Sequence, residues 1–310
     1  MFVEMRRLIG SIRSSRRVFC DASDGPRFDK RRPIAVMHIP KTSGTSLNTA
    51  LRKALRPRNA ITGIDASAFG AFTAFHTFDP NRQSIVHREA LPPGDFVAGH
   101  FSFATLTAHA ADAQLVTVLR EPRSRVVSNW LFWRSRPESD LRTWGEWRDA
   151  ICQARAPLGT FLTTRAIACA IDNITVRMLL WPDSRIPADA FIHPRDDAPL
   201  IEAALERLNQ FAFVDVVENP SLRTNLQNWL GRRVKYPKMN ETSFMPESLR
   251  SPLSDELTPE AAHLLEQRSR LDRVLWTSFA ERLIGPNLAH ALCERSFGEN
   301  STRYAALMER

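Results

Sequence analysis

Apolar residues in this chain come in short unbroken runs, each closed by small or polar residues and followed by a stretch with helical spacing. Residues 34–39, "IAVMHI", are largely apolar and β-branched, which predicts a strand buried on both faces. Residues 45–55 follow with helical periodicity and stop before Pro57. The runs at 96–98 and 115–119 ("LVTVL") predict two more interior strands, with a helix over 124–134 after the second. "FVDVV" at 213–217 predicts a fourth strand, and the helix after it, over 222–230, ends at Gly231. This alternation predicts an α/β chain with a central, mostly parallel sheet flanked by helices. The last third keeps a longer rhythm. Thr258 reads as an N-cap with Pro259 behind it, and Leu264, Leu271, Leu275, Phe279 and Leu283 recur until Gly285-Pro286, which predicts a long core helix. A Pro-rich stretch at 244–258 reads as a surface loop. The chain therefore divides into an N-terminal extension (1–32), a folded domain (33–285) and a C-terminal helical tail (286–310).

With 310 residues, 43% of them hydrophobic, the chain can bury a full core. It has no apolar run of about 18 residues, so neither a membrane span nor a secretory signal is expected and the reading is cytoplasmic. The net charge of +8 is uneven: residues 1–32 carry nine Lys/Arg against four acids, a balance of +5 that leaves +3 for the rest. Such a segment is either a solvated arm or a contact for polyanions or anionic lipid. Met5, Leu8, Ile9 and Ile12 form a short apolar stripe beside Arg6, Arg7 and Arg13, which suits weak membrane-surface contact, and no nucleic-acid partner is expected. Cys20, Cys152, Cys169 and Cys293 lie far apart with no CxxC pair, so the thiols are expected to be reduced and buried, without a zinc site or disulfide framework.

The chemistry concentrates where the first strand meets its helix. Pro40-Lys-Thr-Ser-Gly-Thr-Ser46 gathers helix-terminal N–H groups, the positive end of a helix dipole and a lysine around one point, which makes an anion site. Gly44 is expected to let backbone approach the anion, Lys41 to supply charge, and Thr42, Ser43, Thr45 and Ser46 to donate hydrogen bonds. The plainer alternative is a helix N-cap with an incidental lysine. In the common nucleoside-triphosphate loop the lysine follows the glycines, whereas here it precedes Gly44, and no strand ends in acids placed to hold magnesium. A nucleotide handled without metal is the expectation. The run "LVTVLREPRSRVVS" repeats the strand–turn–helix plan, with Arg120 at the strand's end and Ser128 on the helix, both toward the carboxyl edge. A guanidinium and a hydroxyl there make a second phosphate site, and a surface ion pair is the alternative for Arg120.

Two phosphate sites on neighbouring strand–helix turns, with the lysine ahead of the first loop, resemble the sulfotransferases that use 3′-phosphoadenosine 5′-phosphosulfate. The likeness is to the group of heparan-sulfate and related carbohydrate sulfotransferases and their bacterial relatives. In that family the first motif, approximately HIPKTGGTS, cradles the 5′-phosphosulfate and stands here as residues 38–46; the second, approximately RDPxxRxxS, holds the 3′-phosphate and stands here as Arg120, Glu121, Pro122, Arg125 and Ser128. Ser43 replaces a glycine or alanine and Glu121 an aspartate. The likeness covers about residues 34–283, with weaker blocks at 172–178, 213–218 and 237–242. It implies a P-loop-like three-layer fold and metal-free transfer of a sulfuryl group to a hydroxyl of a carbohydrate or glycolipid. It also implies that His100, in a GHxSF-like setting just past a strand and a flexible Gly99, is the base, while Lys41 stabilises the leaving phosphate.

His38 reads as structural because it falls inside the first strand, and the other six histidines have no motif around them. Trp130, Trp133, Trp144 and Trp147 are either core residues or platforms for sugar rings, and Arg123, Arg134, Arg136 and Arg177 either solvated charges or contacts for an anionic glycan. A nucleotide kinase-like phosphotransferase and a non-catalytic nucleotide- or glycan-binding relative are the rival readings.

Overall fold

The computed structural model describes residues 27–88, 91–237, 239, 242 and 244–309. The segment over 1–26, with its apolar stripe and Cys20, lies outside the described residues, as do parts of the block at 237–242. Six strands, all parallel, form one sheet: β1 (Ile34–Met37), β2 (Ala60–Asp65), β3 (Val86–His87), β4 (Phe96–His100), β5 (Gln114–Leu119) and β6 (Phe213–Val216), in the order β3-β2-β4-β1-β5-β6. The expected α/β class holds, and two strands join the four read from the pattern. Those two were hidden because β2 ("AITGID") is mostly half-exposed and carries a glycine, and β3 has two residues.

β1 sits at the centre because every one of its residues is buried, as strands covered on both faces must be. Alternate side chains go to opposite layers. Ile34 and Val36 meet Leu47, Ala50 and Leu51 of α1 (Gly44–Leu55) and Leu222 and Leu226 of α6 (Leu222–Leu230). Ala35 and Met37 belong to the opposite core, with Phe103 and Leu106 of α2 (Phe103–His109), Val176 of α4 (Ile174–Leu180), Leu200 of α5 (Asp197–Leu208) and Leu271 and Leu275 of α7 (Pro259–Ile284). A third, aromatic-rich core gathers under α3 (Pro122–Arg134). Helix α7 begins as expected, with the Thr258 hydroxyl accepting from the Ala261 N–H and Pro259 in the first turn, and ends at Gly285.

Several sequence expectations need correction. The helix expected after Gly285 forms, but α8 (Pro286–Met308) is packed into the domain, burying Ala289 and Cys293 in one core and Tyr304, Leu307 and Met308 in another. The stretch at 244–258 is pinned by buried Met245, Leu253 and Glu256, whose carboxylate accepts from the Leu158 N–H and the Ser251 hydroxyl. Cys169 and Cys293 are buried, but Cys152 is exposed. Gly99 supplies no flexibility; it lies inside β4, where a Cβ would come within 2.1 Å of the Gly63 carbonyl oxygen of β2. No helix among the described residues is long and apolar enough to cross a membrane.

The block at 172–178 is structural. Asp172 is fully buried, accepts from Arg177 at 2.8 Å and from the Ile192 N–H at 2.8 Å, while the Asn173 side-chain oxygen accepts from the Leu271 N–H at 2.8 Å. Arg177 is thereby committed to the interior and is no glycan contact.

Candidate functional site

The carboxyl ends of β1, β4 and β5 open into a cleft of about 650 Å³. Lys41, Ser43, Gly44, Thr45, Ser46, His100, Arg120 and Ser128 all line it, so the fold gathers both motifs at one edge of the sheet. This is where the chain reverses direction across the sheet: β4 lies on one side of β1 and β5 on the other, the switch point at which open α/β sheets hold ligands.

Thr42 is the exception among the predicted residues. It does not line the cleft; its hydroxyl donates to the Ile39 carbonyl at 2.9 Å, closing the turn from inside. The loop is sharply turned, with Lys41 and Ser43 at φ 67° and 65°, the left-handed region that favours glycine. Ser43 therefore occupies a strained position. The role expected for Gly44 also changes. A Cβ on it would lie 1.8 Å from the His38 ring, so the missing side chain makes room for an imidazole.

His38 follows the last residue of β1 and lines the cleft, against the expectation of an interior strand residue. Its ring contacts that of His100, with centroids 4.4 Å apart. The strands run in parallel register, Met37 beside Gly99, so the next residues bring the two histidines side by side. His100 is the last residue of β4 rather than a residue beyond it. Its Nδ1 lies 2.6 Å from the His38 carbonyl oxygen. A carbonyl only accepts, so Nδ1 carries the proton and Nε2 of the neutral ring keeps its lone pair. Burial depresses the His100 pKa, against the opposing pull of that hydrogen bond and of Asp65. Burial, then the neighbouring His100 and Lys41, push His38 well below the ordinary histidine value. Both rings are held neutral. Asp65, at the end of β2, accepts from the Ser102 N–H at 2.6 Å and so fixes the turn that leaves His100.

Lys41 points its ammonium over the Phe132 ring, 4.5 Å from the centroid. Among the described residues no carboxylate pairs with it. Burial first, then Arg120, Arg136 and Arg303, lower its pKa to about 8. A cation that is desolvated and surrounded by cations is stabilised by an anion.

Arg120 does more than was expected of it. One guanidinium nitrogen donates to the Lys41 carbonyl at 3.0 Å and the other to the Asn300 side chain and the Tyr304 hydroxyl, each at 3.0 Å. It ties the backbone of the loop at Lys41 to α8 while still lining the cleft. The Ser128 hydroxyl lies one wall along, on α3, and no described protein group hydrogen-bonds to it. Arg125, the other motif arginine, faces away. It is buried, donates to the Ile171 carbonyl at 3.0 Å, and burial takes its pKa down to about 10. Glu121 caps α3 by accepting from the Ser124 N–H at 2.7 Å and holds Arg123 at 2.8 Å. Arg123 and Arg134 are buried and engaged, so neither is a glycan contact. Trp130 is core, fully buried with its N–H on the Ala156 carbonyl.

The sequence reading missed three groups that complete the cleft. Glu218 accepts from the Glu121 N–H at 3.0 Å and from Trp276 at 3.0 Å, and burial raises its pKa. Arg303 and Asn300 come from α8, a helix with no motif. Among the described residues no three His, Cys, Asp or Glu side chains group as metal ligands do. No protein-family model matches this chain, and no curated protein matches it either.

Proposed function

We propose that the chain transfers a sulfuryl group from 3′-phosphoadenosine 5′-phosphosulfate to a hydroxyl. The observation that supports this most is the meeting, at one sheet edge, of a desolvated Lys41 with no carboxylate partner among the described residues, the Arg120 guanidinium and a neutral His100 with Nε2 as acceptor. The residues fit the co-substrate: Lys41, Ser43, Gly44, Thr45 and Ser46 are disposed to hold its 5′-phosphosulfate at the N-terminus of α1, and Arg120 and Ser128 its 3′-phosphate. In the reaction the acceptor oxygen bonds to sulfur, the bond from sulfur to the 5′-phosphate oxygen breaks, and the acceptor proton leaves. Products are a sulfate monoester and adenosine 3′,5′-bisphosphate. His100 takes the proton at Nε2, while its Nδ1–H stays on the His38 carbonyl and keeps the ring aimed. Lys41 meets the negative charge that grows on the phosphate oxygen, an interaction stronger in the transition state than before it.

A thermal-shift titration with adenosine 3′,5′-bisphosphate tests the reading directly. At about 100 times its dissociation constant a ligand adds about 2.7 kcal/mol, which appears as a rise of several degrees in Tm. That rise is expected without metal and is not expected from 5′-AMP. Stabilisation by Mg·ATP and none by the bisphosphate would replace the proposal with a kinase-like phosphotransferase.

The pH dependence follows from the two depressed pKa values. His100 must be neutral to act, so kcat/KM rises with pH through a value below the ordinary histidine range. Lys41 must be charged, so kcat/KM and bisphosphate affinity fall as pH passes about 8. Binding at pH 8.5 therefore takes up a proton on Lys41. Calorimetry in two buffers of different ionisation heat measures this uptake, and equal apparent enthalpies would remove Lys41 from the phosphate site.

A further inference from the structure

The half of the cleft away from the Lys41 loop is walled largely by aromatic and aliphatic side chains. From Lys41 the ring contacts run without a break: Phe132 to Trp133 at 5.1 Å, Trp133 to Trp144 at 6.1 Å, Trp144 to Phe69 at 6.2 Å and Phe69 to Trp147 at 5.4 Å. From the histidine side the wall starts with Ile64, the register partner of His100 on β2. All of these residues line the same cleft as Lys41 and His100.

Among the described residues, the polar side chains that interrupt this wall, Asn129 and Arg82, are already engaged, and its indoles offer only single N–H donors, of which the buried Trp144 Nε1 has no protein partner. Asn129 donates to the Ala170 carbonyl at 3.1 Å. Arg82 donates to Thr143 at 2.9 Å, pairs with Asp140 and lies flat over Trp144, its carbon 4.2 Å from the ring centroid. A sugar buried here would leave several hydroxyls without partners, and each loses affinity. An apolar ring loses nothing of the kind and gains by stacking.

We infer that the acceptor is a hydroxyl compound with an uncharged, apolar ring body, a phenol or an alcohol on an aromatic or fused-ring skeleton, bound between the Ile64 and Trp133–Trp147 sides of the cleft. This rests on the sulfuryl-transfer reading and replaces the carbohydrate acceptor that the resemblance implied. The ring body lies on the aromatic wall and its single hydroxyl faces His100. The hydroxyl oxygen gains the sulfuryl group, its proton goes to His100 Nε2, and the bond between sulfur and the 5′-phosphate oxygen breaks, so an organic sulfate monoester and adenosine 3′,5′-bisphosphate leave.

The test is isothermal titration of the full chain with 2-naphthol and with methyl β-D-glucoside, each with and without saturating adenosine 3′,5′-bisphosphate. The expected result is a Kd for 2-naphthol at least tenfold below that of the glucoside. Trp133→Asp and Ile64→Asn are each expected to raise the naphthol Kd about tenfold while changing that of the bisphosphate by less than twofold. A glucoside that binds as well as naphthol, or naphthol binding that neither substitution weakens, overturns the inference. If naphthol binds the wall as described and the bisphosphate does not bind at all, the apolar acceptor pocket stands and the sulfuryl-transfer reading falls.

Discussion

His100→Asn is expected to lower kcat by about 10²–10⁴ while leaving the affinity for adenosine 3′,5′-bisphosphate within about threefold. The substitution is chosen for what it keeps. An asparagine amide reaches the position of Nδ1 and continues to donate to the His38 carbonyl, now 2.6 Å from the imidazole, so the turn after β4 has no reason to move. What is lost is the Nε2 acceptor, which in the proposed reaction takes the proton of the hydroxyl. The acidic limb of the pH profile should vanish with it, because the group whose depressed pKa sets that limb is gone. Steady-state rates across pH 5 to 9 check both points. A variant that keeps its rate and its acidic limb would remove His100 as the base and turn attention to His38, whose ring lies against it.

Gly44→Ala is expected to have the second largest effect, and through a different physical cause. The added methyl would sit 1.8 Å from the His38 ring, far inside van der Waals contact. Either the ring swings away or α1 shifts. Overpacking of this kind typically costs about 1–3 kcal/mol of stability. The loss of activity should be larger than the loss of stability suggests, because the His38 carbonyl orients His100 and the His38 ring packs against it, tilted by 38°. A fall in kcat of at least about 10² is expected, since displacement of a reacting group by about 1 Å can cost that much. His38→Ala makes room for the methyl. The double variant should therefore recover most of the stability lost by Gly44→Ala, a coupling that a double-mutant cycle from chemical denaturation reads directly. Additive losses would mean that the glycine serves the anion after all.

Much of the site was legible from residues close together in sequence. The loop at 40–46, Arg120 and His100 lie at the ends of apolar runs, with Ser128 on the helix that follows one of them, and in a parallel sheet those ends share one edge whatever the strand order. The misreadings have a common origin. Thr42 looked like one hydroxyl among four, yet only the backbone turn decides that it faces the Ile39 carbonyl and the others the cleft. Arg125 stood in the motif beside Arg120, yet α3 is buried nearly all round, so Arg125 is directed into the core while Arg120, ahead of the helix, lines the cleft. The separation of 286–310 from the domain followed from Gly285-Pro286, a real helix break that says nothing about where the next helix lies.

What the sequence determined alone was the α/β class, the limits of the long helix α7 and the two strand–helix turns that open on the cleft. Those depend on strand and helix periodicity and on capping, which act over a few residues. What the tertiary structure decided was which distant surfaces close the cleft. Tyr304 reaches Arg120 across 184 positions, and Ile64 stands beside His100 only because β2 pairs with β4. Helix α8 carries no motif because its part is to cover an edge, and any face with suitable volume and a few hydrogen-bonding groups can do that. The His38–His100 pair likewise exists through strand register and the absence of one methyl at Gly44. Contacts of that kind are set by packing between elements, where shape and distance count and local pattern carries no signal.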